Sequence, residues 1–255
     1  MNPVRPKQED KTSRNLDESY SQWVEDRMVW SHFGHRAHGT FFEAGAFHPV
    51  RLSQTYFLEQ RGWHGVLVDP LPDSAAEFAR IRTNSLFFQN ALGSPEDEGR
   101  DLAFVIPQDG TVAHLRQPHE IVTTSSRITK VRSTTINSIL AKSSIQQVDY
   151  LSLDLEGNEL AALRGLDFAR WKPQLILIED HFHSLNVHRY LKTHDYKLVF
   201  RLGCNNWYLP AGDTCQYTTR RVQLELFRKM YLSMPFRKLS IMLKGLRASG
   251  RSASC

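Results

Sequence analysis

Seven apolar runs of strand length, set apart by segments of helical or turn character, limit what this chain can become. They are "TFFEA" (40–44), "GVLVD" (65–69), "SLFFQNA" (85–91), "VDYLSLD" (148–154), "QLILIED" (174–180), "YKLVFRL" (196–202) and "NNWYLP" (205–210). Several are apolar at consecutive positions, as expected of strands covered on both faces. Helical spacing lies between them: Leu52, Tyr56 and Leu58; Ala75, Phe78 and Ala79; Leu160, Leu163 and Leu166; Leu185, His188, Tyr190 and Leu191. The alternation predicts an α/β domain around a mostly parallel sheet of about seven strands. Only Gly203 and Cys204 separate the last two runs, so these form a hairpin and the sheet ends with an antiparallel strand. A short helix is expected around Tyr20 to His32, and residues 101 to 132 read as an inserted β excursion.

A chain of 255 residues with 41% hydrophobic content suits one globular domain with tails. The expected division is a polar arm over 1–17, a domain over 18–212, and a basic amphipathic tail over 213–255. The net charge of +5 is unevenly placed: from Arg220 onward nine basic residues face Glu225 alone, which leaves the body mildly acidic. That distribution speaks against a nucleic-acid groove across the domain. No apolar run is long enough to span a bilayer and the start has no secretion-signal core, so a cytoplasmic location is expected. The tail carries a further expectation, peripheral attachment to an anionic membrane at its inner face. Cys204, Cys215 and Cys255 lack metal-site or disulfide spacing and read as reduced thiols; no metal site is expected.

In an open α/β sheet, ligands bind outside the carboxyl ends of the strands, which draws attention to the polar and small residues there. Glu43 ends the first run, with Gly45 just behind it. Asp69 ends the second, 26 residues on, the length of a nucleotide-binding βαβ unit. A carboxylate at that tip suits a ribose diol, and Asn90 near the third tip can both give and take hydrogen bonds, as an adenine edge requires. The loop after Glu43 has no G-x-G-x-x-G pattern, and Pro49 lacks an N–H, so it makes a poor pyrophosphate cradle. S-adenosylmethionine carries no phosphate and tolerates such a loop better. Asp154 and Glu156 follow the fourth run; Glu179, Asp180, His181 and His183 follow the fifth. Carboxylates and an imidazole gathered there could serve as general base for a hydroxyl, and the residues leave the choice among Asp154, Glu156 and His181 open.

The segments "EAGAFHPVRLSQTYFLE", "GWHGVLVDP" and "VDYLSLDLEGNELAALRGLDF" together resemble the FkbM family of S-adenosylmethionine-dependent methyltransferases, over roughly 40 to 210. The resemblance implies a Rossmann-like class I methyltransferase fold. It implies that Glu43, Gly45 and Ala46 line the methionine end of S-adenosylmethionine, that Asp69 holds the ribose, and that Asn90 and Ala91 flank the adenine. Glu43 stands where the family usually has aspartate, and Phe47-His48-Pro49 replace its usual Asn-Asp-Gly. The activity implied is O-methylation of a sugar, glycan or glycolipid precursor, as in members associated with surface polysaccharides. A small hydroxylated metabolite is the alternative acceptor, and a non-catalytic scaffold in polysaccharide assembly the alternative role.

Overall fold

The computed structural model describes residues 19–72, 74–108, 113–116, 126–181 and 184–233. The chain enters through helix α1 (Glu25–His32) and strand β1 (Thr40–Ala44), then runs α2 (Tyr56–Glu59), β2 (His64–Val68), α3 (Ala75–Ile81) and β3 (Ser85–Phe88). It passes into a second sheet made of β4 (Ala91–Leu92), β5 (Asp101–Ile106), β6 (His114–Leu115) and β7 (Arg127–Thr134). It returns through α4 (Ile136–Lys142), β8 (Tyr150–Leu153), α5 (Glu159–Arg164), β9 (Leu175–Glu179) and α6 (Asn186–Thr193). The hairpin β10 (Tyr196–Leu202) and β11 (Asn205–Pro210) and helix α7 (Arg220–Phe227) complete it.

The seven-stranded sheet has the order β10-β11-β9-β8-β1-β2-β3. Strands β3, β2, β1, β8 and β9 pair in parallel, and β11 is antiparallel to both of its neighbours. The antiparallel strand therefore lies inside the sheet and β10 forms the edge, where the sequence alone placed the antiparallel strand last. The consecutive apolar residues have a simple cause. Phe42, Val66, Leu151 and Ile176 face the layer of α4, α5 and α6, while Phe41, Leu67, Tyr150 and Leu177 face the layer of α1 to α3. Both faces are covered, so both side-chain sets are apolar.

The run at 85–91 is divided between the sheets, since β3 ends at Phe88 and β4 starts at Ala91. The excursion is a β structure, with β5 and β7 antiparallel over Asp101–Ile106 and Arg127–Arg132. Phe104 and Val131 pack there with Leu71 and Leu115. Helix α1 starts at Glu25 rather than near Tyr20, because Asp26 holds residues 19–21 in a loop: it accepts from Ser19 Oγ at 2.6 Å and from Tyr20 N at 2.7 Å. The packed body also continues past residue 212. Cys215 is buried, Tyr217 packs on Trp207, and Thr218 Oγ1 donates to Val199 O at 2.8 Å.

Leu52 does not begin a helix. It is exposed with φ 61°, and α2 begins only at Tyr56. The segment 53–55 is instead held by buried charge. Glu43 accepts from Gln54 N at 2.8 Å and from the Ser53 and Thr55 hydroxyls. Behind these hydroxyls stands Arg82, only 1% exposed, which donates to Thr55 Oγ1 at 2.7 Å, to Pro49 O at 3.2 Å and to Glu59 Oε2 at 2.7 Å. Breaking a buried pair from one side leaves the other charge without compensation, typically at about 3–5 kcal/mol. Arg82→Met, which keeps most of the volume, is expected to lower the melting temperature by roughly 10 °C. A thermal melt unchanged within error would show that this network does not hold the fold.

Candidate active site

The carboxyl ends of β1, β2 and β8 surround a cleft of about 650 Å³, counted to its open mouth. Gly45, Asp69, Asn90, Ala91, Asp154 and Glu156 line it; the excursion closes another side with Phe104 and Leu115. Six of the residues named from the sequence thus share one cavity. Glu43 and Ala46 are buried in the body and are not on its wall. The longer Glu43 side chain reaches the segment ahead of α2 and fixes the loop from below.

That loop is tightly self-satisfied. Gly45 N and Ala46 N donate to Val68 O at 3.0 and 3.2 Å, Phe47 N to Asp69 Oδ2 at 2.7 Å, and His48 N to Ala46 O. Val50 N and Arg51 N both donate to His48 Nδ1 at 3.0 Å, and Pro49 has no N–H. Burial lowers the His48 pKa, in keeping with an unprotonated Nδ1 that accepts both amides. No amide from Gly45 to Arg51 is left to cradle a phosphate. Gly45 has φ 78°, and a Cβ on it would lie 1.8 Å from the Asp154 carbonyl oxygen. The glycine is demanded by the close approach of β1 and β8, where Asp154 N donates to Ala44 O at 3.0 Å, rather than by room for a ligand alone.

Asp69 is 4% exposed. Its Oδ2 accepts from Phe47 N and its Oδ1 from Leu71 N at 2.8 Å, so each oxygen keeps a second lone pair toward the cleft. Burial pushes the carboxyl up to about 6 despite these two amides. Asn90 Nδ2 donates to Arg132 O at 3.2 Å, and Asn158 Nδ2 to Leu92 O at 2.6 Å; both tie the wall of the cleft to the excursion.

The acidic end of the cleft comes from adjacent parallel strands, β8 and β9. Asp154 lines the cleft and is exposed to it. Burial, and then the hydrogen bond to Glu179, hold its carboxyl well above the usual range. Glu179 shifts the other way: burial raises its carboxyl, and the hydrogen bonds from Asp154 and Cys204 with the charges of His181 and Arg201 lower it by more. Glu156 stands on the rim with φ 50°, followed by Gly157 at φ 101°. A left-handed glutamate is uncommon outside functional loops. Its carboxyl is raised by burial and by Glu179, while His181 and His114 oppose this. His181 is largely exposed, with Nε2 3.8 Å from Glu179 Oε1.

Sequence reasoning passed over several residues. Cys204 donates to Glu179 Oε1 at 2.9 Å and its thiol is pushed up to about 12, so it belongs to this cluster and is not a reactive thiolate. The ligand atoms of Asp154, Glu156 and Glu179 lie within 4.8 Å of one another, as do those of Glu179, His181 and Cys204, so either set could hold a cation. Asn158 follows "DLEG" directly and was findable from that motif. Phe104, His114 and Leu115 sit in the excursion, where no spacing pointed to the cleft. His183 lies outside the described residues.

No curated protein matches the chain. The family model described as Methyltransferase FkbM domain matches residues 43–198, more than half of the chain and every cleft-lining residue named above. With that match, the chain belongs to the FkbM methyltransferase family.

Proposed function

We propose that this methyltransferase uses S-adenosylmethionine on a Rossmann-like class I fold and methylates a hydroxyl of a sugar, glycan or glycolipid precursor. The observation that carries the cofactor reading is the saturated loop from Gly45 to Arg51. It offers no amide to a diphosphate, yet it stands beside an acid with free lone pairs at the tip of β2. A nucleoside without phosphate suits that combination. Asp69 would hold the ribose hydroxyls, Gly45 the neighbourhood of the amino acid portion, and Asn90 and Ala91 the base, with Phe104 and Leu115 as an apolar wall. The acceptor class rests on the resemblance to family members associated with surface polysaccharides.

Bound there, S-adenosylmethionine supplies an already activated sulfonium methyl. The chain's own task is to orient the acceptor hydroxyl and take its proton. Glu156 is the base in this reading. It stands at the rim, and its raised carboxyl makes it a stronger acceptor near neutral pH than an ordinary glutamate. Asp154, its carboxyl raised by burial and by Glu179, is assigned the orienting role in this reading rather than that of the base.

Asp69→Ala removes two acceptor sites, and S-adenosylhomocysteine affinity is expected to fall about 30- to 1000-fold by calorimetry. Wild-type affinity in this variant would overturn the assignment. A non-catalytic scaffold would show no saturable binding in the parent protein at all. The pH dependence has a definite sign. The folded Asp69 carboxyl is raised to about 6 from 3.8, so the fold favours the neutral acid and loses that contribution as pH rises through this window. The ionised form accepts the ribose hydroxyls, so affinity is expected to strengthen from pH 5 to pH 7.

The base assignment separates two conservative variants. Glu156→Gln is expected to lower kcat by about 10² to 10⁴ with S-adenosylhomocysteine binding little changed. Asp154→Asn keeps a donor to Glu179 and is expected to cost about tenfold or less. Single-turnover assays with the acceptor would reverse this order if Asp154 were the base. Equal, small effects in both would move the role to His181, read from His181→Ala.

A further inference from the structure

Helix α7 and the π-helical turn that continues it over Arg228–Leu232 are together two-faced. On one side Leu226 and Met230 are buried, the latter against Leu185. On another, Leu224, Phe227 and Tyr231 follow at i, i+3 and i+7 and are 71%, 55% and 48% exposed, with the Phe227 and Tyr231 rings 5.2 Å apart. Leu232 extends the apolar surface at 57%. Arg220, Arg221 and Arg228 stand exposed beside these side chains. Glu225, the only acid from Arg220 to the end of the sequence, pairs with Lys229 at 2.9 Å. The helix cannot roll to hide the stripe, because doing so would withdraw Leu226 and Met230 from the domain.

We infer that α7 and the turn that continues it to Leu232 form a docking surface for an anionic lipid membrane. Exposed aromatic and aliphatic side chains flanked by arginines match the boundary between acyl chains and acidic headgroups. A second copy of this chain would bring two strongly basic segments together, which opposes self-association. A nucleic acid would use the arginines and leave the leucine and aromatic stripe without a role. The placement also fits. From Thr218, bonded to Val199 in β10, the helix runs to Leu185, on the connection that leaves the carboxyl end of β9. The helix therefore runs toward the end of the sheet that carries the cleft. The inference does not depend on the acceptor or cofactor proposed above.

The test is co-sedimentation of the full chain with vesicles of phosphatidylcholine alone and of phosphatidylcholine mixed with phosphatidylglycerol, at low and high salt. Binding is expected only to the anionic vesicles and to weaken at high salt, by on the order of fivefold for each basic residue disengaged. Leu224→Ser/Phe227→Ser/Tyr231→Ser, all on the surface, is expected to lose at least about tenfold in partitioning. Arg220→Gln/Arg221→Gln/Arg228→Gln should lose the salt-sensitive part. Absence of binding to anionic vesicles at low salt overturns the inference, as does an apolar triple variant that binds like the parent. A concentration-dependent dimer in sedimentation velocity, abolished by the same variant, overturns it in favour of self-association. Circular dichroism and S-adenosylhomocysteine binding on the same samples separate this outcome from misfolding and from failure of the methyl-transfer reading.

Discussion

The buried guanidinium of Arg82 is the constraint on which the cleft depends. It comes from the end of α3, yet it reaches the Pro49 carbonyl, the hydroxyls of Ser53 and Thr55, and Glu59 at the end of α2. Through Ser53 and Thr55 it also steadies Glu43 at the tip of β1, whose carboxyl burial alone would keep neutral and which Arg82 draws back toward the ionised form. One cation thus ties together the loop after β1, the short helix that follows, and the turn before β3. Without it, two carboxylates would stand in an apolar layer beside Phe41 and Tyr56, where an unpaired charge is costly.

This arrangement explains how an atypical loop can serve a familiar position. The backbone left-handed turns at Gly45, Phe47 and Leu52 are fixed from below by Glu43 and Arg82 and from the side by Asp69 and the His48 ring. A loop held that firmly by its own side chains does not need a ligand's phosphate to order it. The same saturation that bars a diphosphate leaves the site preorganised for a smaller demand, which is positioning. At the other end of the cleft the logic is electrostatic. Asp154, Glu156 and Glu179 cannot all ionise cheaply at such distances, and burial with this crowding raises the carboxyls of both Asp154 and Glu156.

Much of this was legible before any coordinates. All seven apolar runs became strands of the main sheet, because strands covered on both faces leave an unbroken apolar record. The strand-tip acids followed from the rule that binding residues gather at carboxyl ends, and Asp69, Asp154 and Glu156 do line one cleft. The helix around Ile136–Lys142 escaped notice since it borders the excursion. Glu43 was legible as a strand-tip acid, but the direction of its side chain was not: alternation along β1 points it with Phe41 into the α1 to α3 layer.

The sequence by itself determined the α/β alternation, the hairpin and the positions of the acids, since each of these is written in local periodicity and spacing. Only the tertiary structure decided that the acids of β8 and β9 crowd one another, that β11 inserts between β9 and β10, that Cys204 joins the carboxylates, and that Phe104 and Leu115 wall the cleft. These depend on distances between residues far apart in the chain, and a charge or a wall is set by what folding brings beside it.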